Sequence, residues 1–165
     1  MDQTFNEIRR KDRALDDEKT IGLLENAEYG ILSLGAGHNG YTYGVPMSFV
    51  FDKAANAIYL HSALTGHKLE NLAMHNKVSF CVVGCTEVIP GQFTTNYESA
   101  IVFAIAEILQ SEEERRNALL KLVLKYSPDF IEKGEKYIEK DWHRTQVIKL
   151  AIQKASGKSR IGHPK

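Results

Sequence analysis

The run IYLHSALTGHKLENL, from Ile58 to Leu72, crowds two histidines, a lysine, a serine and a threonine around a turn of small residues. Its pattern predicts a strand, a short loop and a helix. Ser62 and Thr65 bring hydroxyls, and Gly66 lets a ligand approach the backbone closely. Lys68 falls in the first helical turn. A helix N-terminus already offers free N–H groups and a partial positive charge, so a lysine there suits a phosphate. Strand–loop–helix junctions with such residues are also common without any ligand. His61 closes an apolar AIYL run. It is either a half-buried structural histidine or a proton donor or ligand contact, since imidazole titrates near neutrality. His67 either touches the same anion or faces solvent, and His75 is placed on the outer face of the helix.

No other cluster competes strongly. Cys81 and Cys85 lack the second Cys or His pair that a zinc site needs. The strand-like sequence between them favours two buried, inert thiols over a Cys–His nucleophile. No metal is expected. TTNYES (Thr94–Ser99) and DWHRT (Asp141–Thr145) are polar runs beside strands. Tyr97, Glu98, Trp142 and Arg144 suit either a loop and aromatic core or the wall of a planar ligand site.

The elements that must position these residues are legible in outline. Asp16 or Asp17 caps a first helix with Ile21 and Leu24 on one face. Tyr29–Gly35, Tyr41–Asp52 and Ala57–Ala63 read as a three-strand meander. Pro46 interrupts the second of these strands, so an edge, a bulge or a close backbone approach is expected there. The helix after Gly66 turns Leu69, Leu72 and Ala73 inward. KVSFCVVG is a fourth strand, and residues 85–99 read as a long irregular connection. SAIVFAIAEIL is a fifth strand, apolar at nearly every position. Burial on both faces is expected, with a second subunit as the outer cover. Ser111 and Glu114 make a capping box for a helix whose inward stripe is Leu119, Leu122, Val123 and Tyr126. A short helix and a last strand with a tail complete a mainly β, α+β chain: a small antiparallel barrel with helical insertions.

The chain of 165 residues is read as one domain, with a polar arm over residues 1–15 and a tail over 154–165. Hydrophobic residues make up 43%, enough for a core. Lys plus Arg and Asp plus Glu are both 21, a balance that argues against a general nucleic-acid binder. No apolar run approaches the roughly 18–20 residues of a membrane helix. Nothing at the start reads as a secretion signal, so a cytoplasmic protein with reduced thiols and no membrane partner is expected.

Five segments in this order carry a resemblance: YGVPMSFVFD, AIYLHSALTGHKLENL, KVSFCVVG, FTTNYESAIVFA and WHRTQVIKLAIQKASGK. Together they resemble the 5-nitroimidazole resistance family of the pyridoxamine 5′-phosphate oxidase-like, FMN-binding split β-barrel group, over roughly Arg9 to Lys158. The resemblance implies a homodimeric split barrel with FMN in a groove between subunits. It implies that Val45, Pro46, Met47, Ser48 and Phe49 line the isoalloxazine ring with their backbone. His61, Ser62 and Ala63 would lie beside the flavin, Lys68 at the phosphate, and Asn71 behind that loop. His67 stands where the wider group often has arginine, a stronger phosphate partner. The TTNYES run and Trp142 with Arg144 would close the site from the partner chain. The implied activity is FMN-dependent reduction of a small planar acceptor such as a 5-nitroimidazole, with NAD(P)H as a donor and His61 orienting or protonating the acceptor. Pyridoxamine 5′-phosphate oxidation, or flavin or heme binding without turnover, are the alternatives.

Overall fold

The computed structural model describes residues 5–161. Helix α1 (Asp17–Asn26) precedes strands β1 (Tyr29–Leu34), β2 (Tyr43–Ser48), β3 (Val50–Asp52) and β4 (Ala57–Ala63). Helix α2 (His67–Met74), strands β5 (Lys77–Ile89) and β6 (Thr94–Ile108), helices α3 (Glu112–Tyr126) and α4 (Ile131–Asp141), and strand β7 (Thr145–Arg160) follow. The strands form one antiparallel sheet in the order β2-β1-β5-β6-β7-β4-β3.

That order dictates the shape. β2 and β3 sit at opposite ends of the sheet, yet one residue, Phe49, separates them in the chain. The two ends must therefore meet, and the sheet curls into a barrel split beside β2 and β4. The strand expected over Tyr41–Asp52 thus breaks at Phe49, and its halves pair with different partners, β1 and β4. Pro46 lies in β2, the edge strand, where a missing donor costs least.

At the corner Phe49 has no ladder neighbour, and a side chain replaces one. Its N–H donates to the Tyr126 hydroxyl at 2.8 Å, and its carbonyl lies 2.9 Å from that same oxygen. The hydroxyl also faces the Glu28 carbonyl, and donates to one carbonyl at a time. Lys125 donates to the Ala27 carbonyl at 2.8 Å and sits 3.9 Å above the centre of the Phe49 ring. The last turn of α3 therefore clamps the barrel corner.

The barrel interior holds Phe49, Phe80, Leu32, Leu60, Val82, Val102 and Leu150, all fully buried. Each such side chain contributes roughly 1.5–3 kcal/mol relative to exposure. Phe80 lies so close under β1 that a Cβ on Gly30 would fall 2.4 Å from its ring, which explains the glycine inside a strand. A second core lies outside the barrel, where Leu119, Leu122 and Ile138 of α3 and α4 pack on Tyr59 and Val147. Arg115 ties these layers by donating to the carbonyls of Trp142 and Thr145 at 3.2 and 2.7 Å.

The expected caps form: Asp16 accepts from the Lys19 N–H at 2.8 Å and Ser111 from the Glu114 N–H at 3.3 Å. Several expectations need correction. Residues 85–99 are not irregular, because Thr86–Ile89 pair with Thr94–Tyr97 around a turn at Pro90–Gln92. Polar side chains on an exposed ladder concealed that hairpin. The tail expected from residue 154 is strand up to Arg160, paired with Tyr97–Phe103 of β6. The arm folds back as well: Leu15 donates to the Gly157 carbonyl at 2.9 Å, and Phe5 stacks on Phe103 at 5.3 Å. The outer parts of both calls, residues 1–4 and 162–165, lie outside the described residues. Ala73 is exposed rather than inward. Cys85 is exposed and Cys81 half-buried, so the two thiols are not both sequestered. Within one chain β6 is not covered on both faces: Ala100, Val102 and Ala104 are buried, but Ile101 and Phe103 remain 42% and 39% exposed.

Candidate functional site

The split beside β2 and β4 is where the chemistry-bearing residues gather. Along β2, Val45 and Met47 turn inward against the barrel core, while Pro46 and Ser48 are exposed on the other side. Along β4, Leu60 is buried inside, and the alternation of a strand sends His61 to the opposite face. The β4–β7 register pairs His61 with Val147, Ser62 with Gln146 and Ala63 with Thr145. The strand then gives way to a loop, and Gly66, at φ 128°, admits the turn into α2.

No side chain caps α2 at Gly66. Lys68, in its first turn, reaches across to β2, where its Nζ lies 3.3 Å from the Met47 sulfur. Thioether is a weak acceptor, so this contact satisfies little of an ammonium group. No carboxylate pairs with Lys68 among the described residues. Burial pushes its pKa below the ordinary lysine value. His67 stacks on Tyr43 of β2 at 4.4 Å between ring centres. Two side chains of α2 thus bridge to β2 and leave a half-buried cation beside an uncapped helix end. The residues present fit an anionic group, and phosphate is the simplest.

His61 is exposed into a hollow of about 680 Å³ between the sheet and the α3–α4 pair. Ser48, Leu122, Tyr126, Phe130, Tyr137 and Ile138 are among its walls. Crowding by these walls lowers the His61 pKa, and the charge of Lys68 lowers it further. Its imidazole is therefore neutral at physiological pH, with one donor and one acceptor nitrogen. It makes no hydrogen bond to any described residue.

Within one chain the expected residues do not all gather here, and Trp142 and Arg144 are expected from a partner chain. Phe49 is core, with its N–H donated to Tyr126 and its carbonyl 2.9 Å from that same hydroxyl, so its N–H is not free for a flavin ring. Asn71 is 1% exposed and donates to the Gly35 carbonyl at 3.3 Å, which fixes the loop after β1 rather than the loop before α2. Ser62 spends its hydroxyl on the Ala63 carbonyl at 2.8 Å. Trp142 lies under Arg115, 4.2 Å from its guanidinium, and packs on the outer core. Arg144 pairs with Asp141 at 3.8 Å. Tyr43, Phe130, Lys133 and Tyr137 were not singled out by sequence reasoning. The last three, with Gly134, share one face by their i, i+3, i+4, i+7 spacing, a signal that marks a face without saying what covers it.

A family model described as pyridoxamine 5′-phosphate oxidase matches residues 16–159. The chain belongs to the pyridoxamine 5′-phosphate oxidase family. Solved structures agree on the fold. A putative 5-nitroimidazole antibiotic resistance protein from Bacteroides thetaiotaomicron superposes with a TM-score of 0.71 at 22% identity, over 88% of this chain and 86% of that one. A flavocytochrome from Azotobacter vinelandii gives 0.79 at 22% identity, over 97% and 75%. An FAD and heme binding protein from Mycobacterium smegmatis gives 0.76 at 20% identity, over 91% and 74%. No curated protein matches the chain. The family expected from the five segments is thereby borne out at the level of the pyridoxamine 5′-phosphate oxidase-like group. Among the described residues no helix is long and apolar enough to cross a membrane, and no group of His, Cys, Asp and Glu could hold a metal ion.

Proposed function

We propose that this protein is an FMN-dependent reductase of small planar acceptors, nitroimidazoles among them, with a nicotinamide nucleotide as electron donor. The observation that carries the reading is Lys68, a half-buried ammonium with no carboxylate partner among the described residues, at the uncapped start of α2. Lys68 and the free N–H groups of that helix would hold the phosphate. Pro46, Ser48 and the β4 end at His61–Ala63 would border the ring along the split. When bound, the flavin supplies reversible two-electron chemistry that no side chain of this protein offers. His61 supplies a neutral donor beside it, able to orient an acceptor or pass it a proton.

The reading includes a homodimer. Ile101 and Phe103 on the outward face of β6, with Val83 at 55% exposure on β5, form an apolar strip that a second copy would cover. Pyridoxamine 5′-phosphate oxidation is less well supported. It needs a second cluster of basic residues, and the hollow beside His61 contributes Lys133 together with the opposing charge of Asp141. Heme binding is favoured by one observation, the neutral imidazole of His61, without a hydrogen-bond partner among the described residues, facing a large hollow.

The visible spectrum of the purified protein, with the released chromophore identified, tests this. Flavin absorbance that yields FMN and bleaches with NADH or NADPH supports the reductase. A Soret band without flavin favours the heme reading. A colourless protein that takes up no added FMN refutes both.

A further inference from the structure

Positive charge without a counterweight gathers on the outward face of β6 and β7. Ala100, Val102 and Ala104 are buried, so alternation puts Tyr97, Ser99, Ile101 and Phe103 on the other side of β6. The register sets Arg160 opposite Tyr97 and Lys158 opposite Ser99, so both cations share that face. Ala14 bridges to Lys158, and the Leu15 N–H donates to the Gly157 carbonyl, which brings Arg13 to the Tyr97 hydroxyl. A Cβ on Gly157 would fall 2.3 Å from the Thr20 hydroxyl and 3.0 Å from Leu15, so a glycine is what lets α1 and the arm close on β7 here.

The chain itself matches these cations poorly. Lys158 stands 5.8 Å from the centre of the Tyr97 ring, and Arg160 makes one long hydrogen bond, 3.4 Å to the Thr95 carbonyl. Desolvation raises the Tyr97 phenol pKa, but hydrogen bonds from Lys158 and Arg13 outweigh it and leave the value lowered. Arg13, Lys158 and Arg160 are all half-buried, and no carboxylate pairs with any of them among the described residues. Arg10 also lies near Tyr97, but Asp12 holds it at 2.6 Å. Glu98 falls on the opposite face of β6, against Gly84. Partly desolvated cations without a counter-charge cost free energy that a bound anion would return.

We propose that Arg13, Tyr97, Lys158 and Arg160 form an anion site for the phosphate or diphosphate group of a small molecule other than the flavin. A phosphate ester carries about −1.5 to −2 charge at neutral pH, which suits three cations, and guanidinium forks with a phenol hydroxyl match its oxygens. Within one chain the cluster is separate from Lys68. Asn71 of α2 holds Gly35, next to the end of β1 where Ser33 pairs with Ser79, whereas Tyr97 pairs with Thr86, roughly 20 Å further along β5. A dinucleotide and a smaller phosphate ester present the same chemistry to such a site. The inference does not depend on the reductase reading. Tyr97 belongs to the TTNYES run expected at a partner's site, so FMN is the necessary control.

The test is isothermal titration of the full-length protein with inorganic pyrophosphate at constant ionic strength, with and without saturating FMN. Saturable binding is expected in both. Lys158→Gln and Arg160→Gln should each weaken it by about tenfold. Tyr97→Phe keeps the ring and should weaken it severalfold, which preserves the test if a charge variant fails to fold. Lys154→Gln, further along the same face of β7 and near Glu7, should change it by less than about twofold. NADP+ in the same titrations separates the sources. Binding tighter than pyrophosphate and lost in the same variants identifies a dinucleotide, and weaker binding identifies a smaller phosphate ester. No binding of pyrophosphate overturns the proposal. Equal losses in Lys154→Gln and Lys158→Gln overturn it in favour of diffuse surface charge. Displacement of pyrophosphate by FMN, or FMN affinity that falls together with pyrophosphate affinity in the Tyr97, Lys158 and Arg160 variants, also overturns it, because the cluster then serves a flavin phosphate brought by a second copy.

Discussion

Replacing Tyr126 with Phe should destabilise the protein by about 2 kcal/mol, because the hydroxyl closes the barrel corner. The substitution keeps the ring and removes one oxygen. That oxygen accepts from the Phe49 N–H at 2.8 Å and donates to one of two carbonyls. Phe49 is fully buried and lies between strands that pair elsewhere, so no ladder partner can take its place. A buried N–H left unsatisfied costs about 1–3 kcal/mol, and the lost donation lies within that range. Urea unfolding should show an unchanged slope and a midpoint lower by roughly 1 M, for a slope of about 2 kcal/mol/M. The adjoining strand carries Met47 and Ser48, so FMN affinity should fall modestly in the same variant. A midpoint within about 0.2 M of the unmodified protein would show that water or another carbonyl satisfies Phe49, and the corner argument would fail.

Further substitutions and titrations examine separate parts of the account. Lys68→Ala should weaken FMN binding by roughly 10- to 100-fold and leave riboflavin binding nearly unchanged, since only FMN carries phosphate. His61 should titrate below about 6.5 in a 13C–1H NMR titration, and its midpoint should rise in Lys68→Ala; a midpoint at or above the ordinary value contradicts the site's electrostatics. Because folding lowers this pKa, the unfolded chain binds more protons between the lowered value and about 6.5, so stability climbs with pH across that window and levels off above it. His61→Gln should flatten that part of the profile in urea midpoints measured against pH. Gly134→Ala should lower the melting temperature by forcing Val123 aside, and the loss should shrink in a Val123→Ala background, where the nearest remaining atom of residue 123, its Cβ, lies 3.3 Å away. Cys85 should react quickly with Ellman's reagent, and Cys81, whose thiol pKa burial raises, should follow as a slow second phase; a single rate for both contradicts the thiol environments.

What the sequence disclosed follows the range of the interactions involved. Local rules located the Asp16 and Ser111 caps, the turn at Gly66 and Lys68 at the start of α2, since each depends on residues within a few positions. The apolar AIYL run marked the buried length of β4 and set His61 at its end. The misses needed distant partners. Nothing near Phe49 in the chain says that Tyr126, 77 residues on, completes its hydrogen bonds and breaks the strand there. Asn71 reads as support for the nearest loop, yet its partner is Gly35. The hairpin over residues 85–99 and the strand end at Arg160 are polar, so their apolar signal is weak and β6 supplies the pairing instead. The hollow at His61 arises from the packing of α3 and α4 on the outside of the barrel, and amphipathic spacing alone could not separate a packed face from one left open for a ligand.

The central claim is that the start of α2, with Lys68, holds a flavin phosphate at the split of the barrel. It is tested most directly by titrating flavin-free protein with FMN and with riboflavin while following flavin fluorescence. The account predicts that FMN binds at least about tenfold more tightly than riboflavin and that Lys68→Ala removes most of the difference. Equal affinities for the two flavins, or a difference that survives Lys68→Ala, would contradict it.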